Sequence, residues 1–285
     1  MNLLDKITKE ISDCFGYDEG QVKDRLVQES FETGYNMRQA AKDFGVTPHQ
    51  YDKKMEEFYK KTNAFVFESI IDNEKPYRKL ISDRIVKKIE KQFGRAKDIR
   101  ILDLGGGVGS DCINLAKNGY KNITYFEFDG ASCKFAKYRF KKHGIASSVE
   151  IINEPHKIPK NSFDVVISIE VLEHVEDPQG TVKELHRYLK KEGIAGITQS
   201  FSRIEPNFPT HLRSNLRYCG KTMSLFQNQG FTLIDGYLDF RPLVFAKGLG
   251  LKKKVASYFD RKLFKLRFKS LYDRFKQIVK RHILT

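Results

Sequence analysis

The chain has 285 residues, 40% of them hydrophobic, and a formal charge of +15. That is enough apolar chain for one α/β domain of ordinary size with an appendage, which excludes a disordered polymer. Its four cysteines, Cys14, Cys112, Cys133 and Cys219, are scattered without a CxxC pair, so a disulfide framework and a zinc ribbon are excluded and a reducing, cytoplasmic setting is expected.

The first stretch, "MNLLDKITKEISD", lacks the long apolar segment of a secretory signal, and no run approaches the roughly 20 apolar residues of a spanning helix. An integral membrane protein is therefore not expected. Residues 1–95 read as helices: "QVKDRLVQESFETG", "NMRQAAKDFG", "HQYDKKMEEFYKKTNAFVFESIID" and "PYRKLISDRIVKKIEKQFG" place apolar residues three or four apart, punctuated by Gly34, Gly45, Pro48, Pro76 and Gly94. This region is expected to cap a ligand cleft, with "FYKKTNAFVF" supplying aromatics and small polar groups to an acceptor pocket. The stretch "MRQAAKDFGVTPHQYDKKMEEFY" also fits a helix-turn-helix with Gly45 at its turn. The helix expected from His49 sets Asp52, Glu56 and Glu57 against Lys53 and Lys54, a near-neutral face unsuited to phosphates, so DNA is not the expected partner.

From Ile99 the pattern changes. Short β-branched or aromatic runs, "IRILDL", "NITYFEF", "SVEII", "FDVVISI" and "GIAGITQSF", alternate with the helical "DCINLAKNG", "SCKFAKYRFKKHG" and "PQGTVKELHRYLKKEG". Strand and helix in alternation imply right-handed parallel crossovers and a doubly wound α/β sheet. Two further runs, "FTLIDGYL" and "LVFAK", are joined by a link too short for a crossover and should pair antiparallel.

"ILDLGGGVGS" ends the first strand in Gly105, Gly106, Gly107 and Gly109 just before a helix, where bare backbone and free N–H groups can receive a ligand. Glycine spacing alone also fits a tight ligand-free turn. The second strand, however, ends in Glu127, 22 residues after Gly105, where a carboxylate can accept both hydroxyls of a ribose. Asp129 shares its face but lies farther from the sheet.

"LDLGGGVG", then "YFEFD", "EPHKIPKNSFDVVISIEVLEHVEDP" and "LKKEGIAGIT", resembles the class I S-adenosylmethionine-dependent methyltransferases, especially the branch with small-molecule and quinone O-methyltransferases. The resemblance covers roughly residues 99–247 and implies a Rossmann-like seven-stranded sheet whose last strand is antiparallel. It implies that Asp103, Gly105, Gly106 and Gly107 hold the methionine part of S-adenosyl-L-methionine, Glu127 the ribose and Phe128 one adenine face, with Ile169 at the cofactor's edge. Glu154 stands where such enzymes usually carry Asp for the adenine amino group, with Asn153 as the alternative register, and the Pro159–Phe163 segment is shorter than the family pattern. On this reading residues 1–95 are a helical cap and substrate region, 96–247 the methyltransferase domain and 248–285 a tail.

"SIEVLEHVEDP", residues 168–178, follows the fourth strand and so emerges at the carboxyl edge of the sheet, where open α/β folds bind ligands. Asp177 before Pro178 suits a helix cap and first position, and Glu176 gains from the helix dipole. Glu170, Glu173 and His174 allow two active readings besides a plain helix start. His174 reads as a general base for an acceptor hydroxyl, or Glu170, Glu173 and His174, with His211 as fourth ligand, read as a divalent metal site. E-x-x-E-H resembles the metal motif of small-RNA 2′-O-methyltransferases and some quinone O-methyltransferases. His211 is read as catalytic or metal-ligating, or as a surface loop histidine. No Asn/Asp-Pro-Pro-aromatic motif follows the fourth strand, which directs the expectation to oxygen, or to a carbon beside an ionised phenol, rather than to a nucleobase amine.

Residues 247–285 hold thirteen Lys or Arg against Asp260 and Asp273. They read as a basic amphipathic C-terminal helix fit for an anionic membrane interface at the inner membrane face, for RNA, or for packing on its own domain or a partner. The expectation is a methyltransferase acting on an oxygen of a small-molecule or lipid-linked acceptor. An RNA 2′-O-methyltransferase and a non-catalytic nucleotide-binding regulator are the alternatives.

Overall fold

The computed structural model describes residues 2–94, 96–237 and 240–250. Six helices come first: α1 (Leu3–Phe15), α2 (Glu19–Phe31), α3 (Tyr35–Phe44), α4 (Lys53–Lys61), α5 (Ala64–Glu74) and α6 (Pro76–Phe93). Then follow β1 (Arg100–Leu104), α7 (Ser110–Lys117), β2 (Asn122–Phe126), α8 (Ala131–Lys142), β3 (Val149–Ile152), β4 (Phe163–Ile169), α9 (Pro178–Tyr188), β5 (Leu189–Thr198), α10 (Thr222–Gln227), β6 (Phe231–Tyr237) and β7 (Phe240–Lys247). The seven strands form one sheet in the order β3-β2-β1-β4-β5-β7-β6, with β7 antiparallel to both its neighbours and the first five strands parallel.

The two faces of this sheet are sorted by the alternation within each strand. Ile101, Val165 and Ile194 point to a core shared with Ile85 and Ile89 of α6, Cys112 of α7 and Phe140 of α8. Their neighbours Leu102, Val166 and Ala195 point to the opposite core, shared with Val182 and Leu185 of α9 and Phe226 of α10. Burial on both faces holds the register, since a slip of one residue would exchange every pair. Each such side chain contributes about 1.5–3 kcal/mol relative to exposure. Because β1 sits between β2 and β4, its carboxyl end opens at the point where strand order reverses.

The N-terminal helices pack on that edge. Val66, Phe67 and Ile70 of α5 join Ile7, Ile11, Val22 and Leu26 in a cluster that includes Val108 and Phe135. The continuous helix expected over 49–72 is instead two. His49 has φ 66° and the first helix begins at Lys53, where Asp52 accepts the Met55 N–H at 2.8 Å. It ends at Thr62, whose extended backbone and hydroxyl, which accepts the Ala64 N–H at 3.1 Å, turn the chain into α5. Met55 and Phe58 of α4 are buried with Met37 and Ala41 of α3. The His49 N–H donates to the Pro209 carbonyl and the His49 carbonyl accepts from Arg213, so the segment is fastened to the loop after β5.

β5 starts at Leu189, four residues earlier than "GIAGITQSF", with Glu192 at φ 64° and a register irregularity between Phe163 and Val165. Among the described residues no helix is long and apolar enough to cross a membrane. The expected basic amphipathic tail lies, from residue 251 onward, outside the described residues.

Candidate active site

A cavity of about 720 Å³ opens at the carboxyl edge of β1, β2 and β4 and is roofed by α4 and α5. Its size is in the ordinary range for small-molecule sites. On its floor, Gly105 has φ 71°, and a Cβ there would lie 2.6 Å from Val171 Cγ2. Gly107 has φ 51° and faces space, with the Ser69 hydroxyl 4.0 Å from where its Cβ would stand. The loop is held by the Gly105 and Gly106 N–H groups, which donate to the Phe126 carbonyl at 2.9 and 3.1 Å, and by the Tyr125 hydroxyl, which donates to the Gly107 carbonyl.

Glu127 follows β2 and brings its carboxylate back to this loop. Its oxygens accept the N–H groups of Gly107 at 3.0 Å and Phe128 at 2.9 Å. Burial raises its pKa and the two N–H groups oppose the rise. Asp103 is 2% exposed and its pKa is raised to about 7, first by burial and then by Asp111. The Cys112 thiol donates to it at 3.2 Å, and the buried Arg78–Asp111 pair lies alongside. Phe128 is half exposed on the cavity wall, with its ring edge-on to Phe126, and Ile169 lines the floor.

Glu154 is not a wall residue. Its carboxylate is exposed and paired with Lys157 and, at 3.4 Å, with His156. Asn153, the alternative register, gives its amide to the Glu127 carbonyl at 2.7 Å and to Cys133 Sγ at 3.1 Å. It therefore supports the Glu127 backbone rather than reaching into the cavity.

Beyond Ile169 the chain turns sharply. Glu170 takes φ 54°, its N–H donates to Thr198, and its carboxylate accepts the Ser200 hydroxyl. One helical turn follows, with the His174 N–H on the Val171 carbonyl at 3.0 Å, and then Asp177 caps α9 by accepting the Gly180 N–H at 2.9 Å. The Asn215 amide clamps the turn from across the cleft by donating to the carbonyls of Glu173 and Val175. Ligating atoms of Glu173, His174 and His211 all lie within 4.8 Å of one another, whereas Glu170 points away to Ser200 and is not in the group. The proposed four-ligand set is thus three residues in the structure, because the left-handed turn at Glu170 removes its side chain from the helical face of 173 and 174.

His174 is ringed by Tyr59 and Phe65, with its plane perpendicular to both and to His211, whose ring centroid is 4.7 Å away. Its Nδ1 is 3.2 Å from the Thr210 carbonyl and 3.3 Å from the Tyr59 hydroxyl. A carbonyl only accepts, so Nδ1 carries the hydrogen and Nε2 keeps the lone pair. Burial lowers the His174 pKa to about 4 and drives that of His211 lower still, so both rings are neutral at pH 7 and both are competent metal ligands. His211 is 5% exposed, not a surface histidine.

Tyr59 and Phe65, from the stretch expected to supply aromatics to an acceptor pocket, line the cavity, as do Glu68, Ser69, Tyr77, Arg203 and Phe208, which the sequence did not single out. Those of α5 were legible in retrospect: Phe65, Glu68, Ser69 and Asp72 are spaced three or four apart, opposite the buried Val66, Phe67 and Ile70.

Residues 102–197 match a family model described as a methyltransferase domain. The chain is 26% identical over 159 residues to the sterol 24-C-methyltransferase erg6 of Aspergillus fumigatus, covering 50% of this chain and 42% of that one. It is 31% identical over 119 residues to a ubiquinone biosynthesis O-methyltransferase of Rickettsia bellii, covering 40% of this chain and 47% of that one. The chain therefore spans less than half the length of these relatives. A crystal structure from Methanococcus maripaludis, described as a candidate S-adenosyl-L-methionine-dependent methyltransferase, superposes with a TM-score of 0.52 at 19% identity, covering 70% of this chain and 97% of that one, which is a likeness of fold.

Proposed function

Since this chain belongs to the class I S-adenosylmethionine-dependent methyltransferases, we propose that it transfers a methyl group to an oxygen of a small-molecule or lipid-linked acceptor held between the glycine loop and the His174–His211 wall. The observation that supports this is that Glu127, Gly107, His174 and His211 face one cavity. The cavity fits the donor: bare backbone at Gly105 and Gly107 offers N–H and carbonyl groups without side-chain obstruction, Glu127 stands where ribose hydroxyls need an acceptor, and Phe128 offers an exposed aromatic face. When bound, the donor supplies an electrophilic sulfonium methyl for in-line displacement.

The protein's own part is to hold the acceptor oxygen in line and to take its proton. Alignment of the two reacting atoms in a closed cavity supplies much of the rate in such displacements. The neutral Nε2 of His174, its tautomer set by the Thr210 carbonyl, is the proton acceptor. Tyr59 and Phe65 pack about the ring and exclude water. Of the atom choices, oxygen is favoured over carbon by the imidazole pair at the acceptor wall. The relatives include both an O-methyltransferase and a C-methyltransferase.

A second reading has its own observation: Glu173, His174 and His211 form a three-residue set with ligating atoms within 4.8 Å. One carboxylate and two neutral imidazoles suit a divalent cation, which would lower the pKa of a hydroxyl acceptor and take over the role of a base. Incubation of the protein with cell extract and isotopically labelled methyl donor, followed by mass spectrometry, tests the central reading: one labelled small molecule is expected, and the absence of S-adenosyl-L-methionine binding by calorimetry would overturn it.

A further inference from the structure

One residue of the helical cap holds the main chain of the histidine wall, and it does so from a backbone conformation that residues with a β-carbon rarely adopt. His49 stands in the link between α3 and α4, 9% exposed, with φ 66°. Its N–H donates to the Pro209 carbonyl at 2.7 Å, and its carbonyl accepts the Arg213 N–H at 3.0 Å. Its ring Nδ1 is 2.9 Å from the His211 carbonyl. A carbonyl only accepts, so this Nδ1 carries the hydrogen.

The intervening groups of the same segment bind the turn after β4. The Thr210 carbonyl lies 3.2 Å from His174 Nδ1, and the Leu212 N–H donates to the Glu173 carbonyl at 3.0 Å. Residues 209, 211 and 213 thus answer to His49, and 210 and 212 to Glu173 and His174. Peptide units are planar and rigid, so a shift of the His211 carbonyl is passed to the Thr210 carbonyl next to it.

The left-handed backbone of His49 costs free energy, and it lets the N–H, carbonyl and ring of one residue all reach residues 209–213. The two main-chain bonds would dock the cap whatever the side chain. The ring bond is different: it ends on the carbonyl of His211 itself, one peptide from the carbonyl that sets the His174 tautomer.

Resting on the reading of His174 as proton acceptor, we infer that His49 is a positioning residue for methyl transfer: its ring, by holding the His211 carbonyl, keeps the Thr210 carbonyl on His174 Nδ1 and so leaves His174 Nε2 free for the acceptor's proton. Without the ring bond the Thr210 carbonyl is no longer fixed, and the His174 hydrogen is free to settle on either ring nitrogen.

Nitrogen NMR of the full chain, carrying isotopically labelled histidine and freed of divalent ions by chelation, reads the His174 tautomer without any acceptor, and His174→Gln assigns its signals. Wild-type protein should show one tautomer, with the hydrogen on Nδ1. His49→Gly suits the left-handed backbone and keeps the main-chain bonds but has no ring, so His174 should become a mixture of both tautomers. His49→Asn also tolerates that backbone and offers an amide N–H in place of the ring donor, so it should keep the wild-type pattern. Transfer of labelled methyl to cell extract should fall by about 10-fold or more in His49→Gly and recover in His49→Asn, as a misplaced general base requires. The wild-type pattern in His49→Gly, or a hydrogen on Nε2 in the wild type, overturns the inference. Calorimetry with S-adenosylhomocysteine on the same samples separates the two claims: if it binds and the tautomer ignores His49, only the positioning role fails, and if it does not bind, the methyltransferase reading fails first.

Discussion

The Nδ1 atom of His174 lies 3.2 Å from the main-chain carbonyl of Thr210, 36 residues farther along the chain. Through that one contact the loop after β5 decides which nitrogen of a histidine after β4 carries the lone pair. A base or a metal ligand needs that atom free, and the fold provides it by fastening the other.

His174→Ala should therefore reduce turnover by about 100-fold or more, the usual range for a lost general base, while calorimetry shows S-adenosyl-L-methionine affinity nearly unchanged. His174→Gln preserves bulk but not basicity and should be similarly impaired. Wild-type turnover in both would reduce His174 to a packing residue.

Glu127→Ala should weaken S-adenosyl-L-methionine binding by about 10- to 100-fold, the range for losing charged hydrogen bonds to a ligand. The carboxylate also accepts the Gly107 and Phe128 N–H groups. Glu127→Gln keeps an acceptor for one of them and should bind between the two. Equal affinities across the series would remove Glu127 from the cofactor site.

If Glu173, His174 and His211 hold a divalent ion, metal analysis will find about one per chain in protein prepared without chelator, and His211→Ala will lose it. Chelation should then abolish activity and added divalent ion restore it. Full activity in chelator would leave the base mechanism standing alone.

Asp103 makes stability depend on pH in a defined direction. Burial and Asp111 raise its folded-state pKa from 3.8 to about 7, so between those values the folded chain keeps a proton that the unfolded chain has released. Stability from this group is complete below about pH 4 and is lost as the pH rises through about 7. Thermal melts of the cofactor-free protein should show Asp103→Asn flattening that decline between pH 4 and 7, and an unaltered slope would deny the raised pKa.

What could be read from the chain and what could not follow from the range of the interactions. The seven strands, the antiparallel last pair, the glycine loop and Glu127 were legible because each rests on local spacing: alternation within a strand, a run of glycines between a strand and a helix, an acid at the end of β2. The Asp177 cap was legible for the same reason. Glu170 was misplaced because helical spacing groups it with 173 and 174, while its left-handed backbone, tied to Thr198 and Ser200 on β5 and beyond, turns it aside.

The amino-acid sequence by itself determined the sheet, its carboxyl edge and the glycine loop, since periodicity and steric need are properties of neighbours along the chain. Only the tertiary structure decided that His211 is buried against His174, that Tyr59 and Phe65 wall the same ring and that Glu154 is exposed. Those relations join residues far apart in the chain, and no local pattern encodes a contact whose partner arrives from another element after the core has closed.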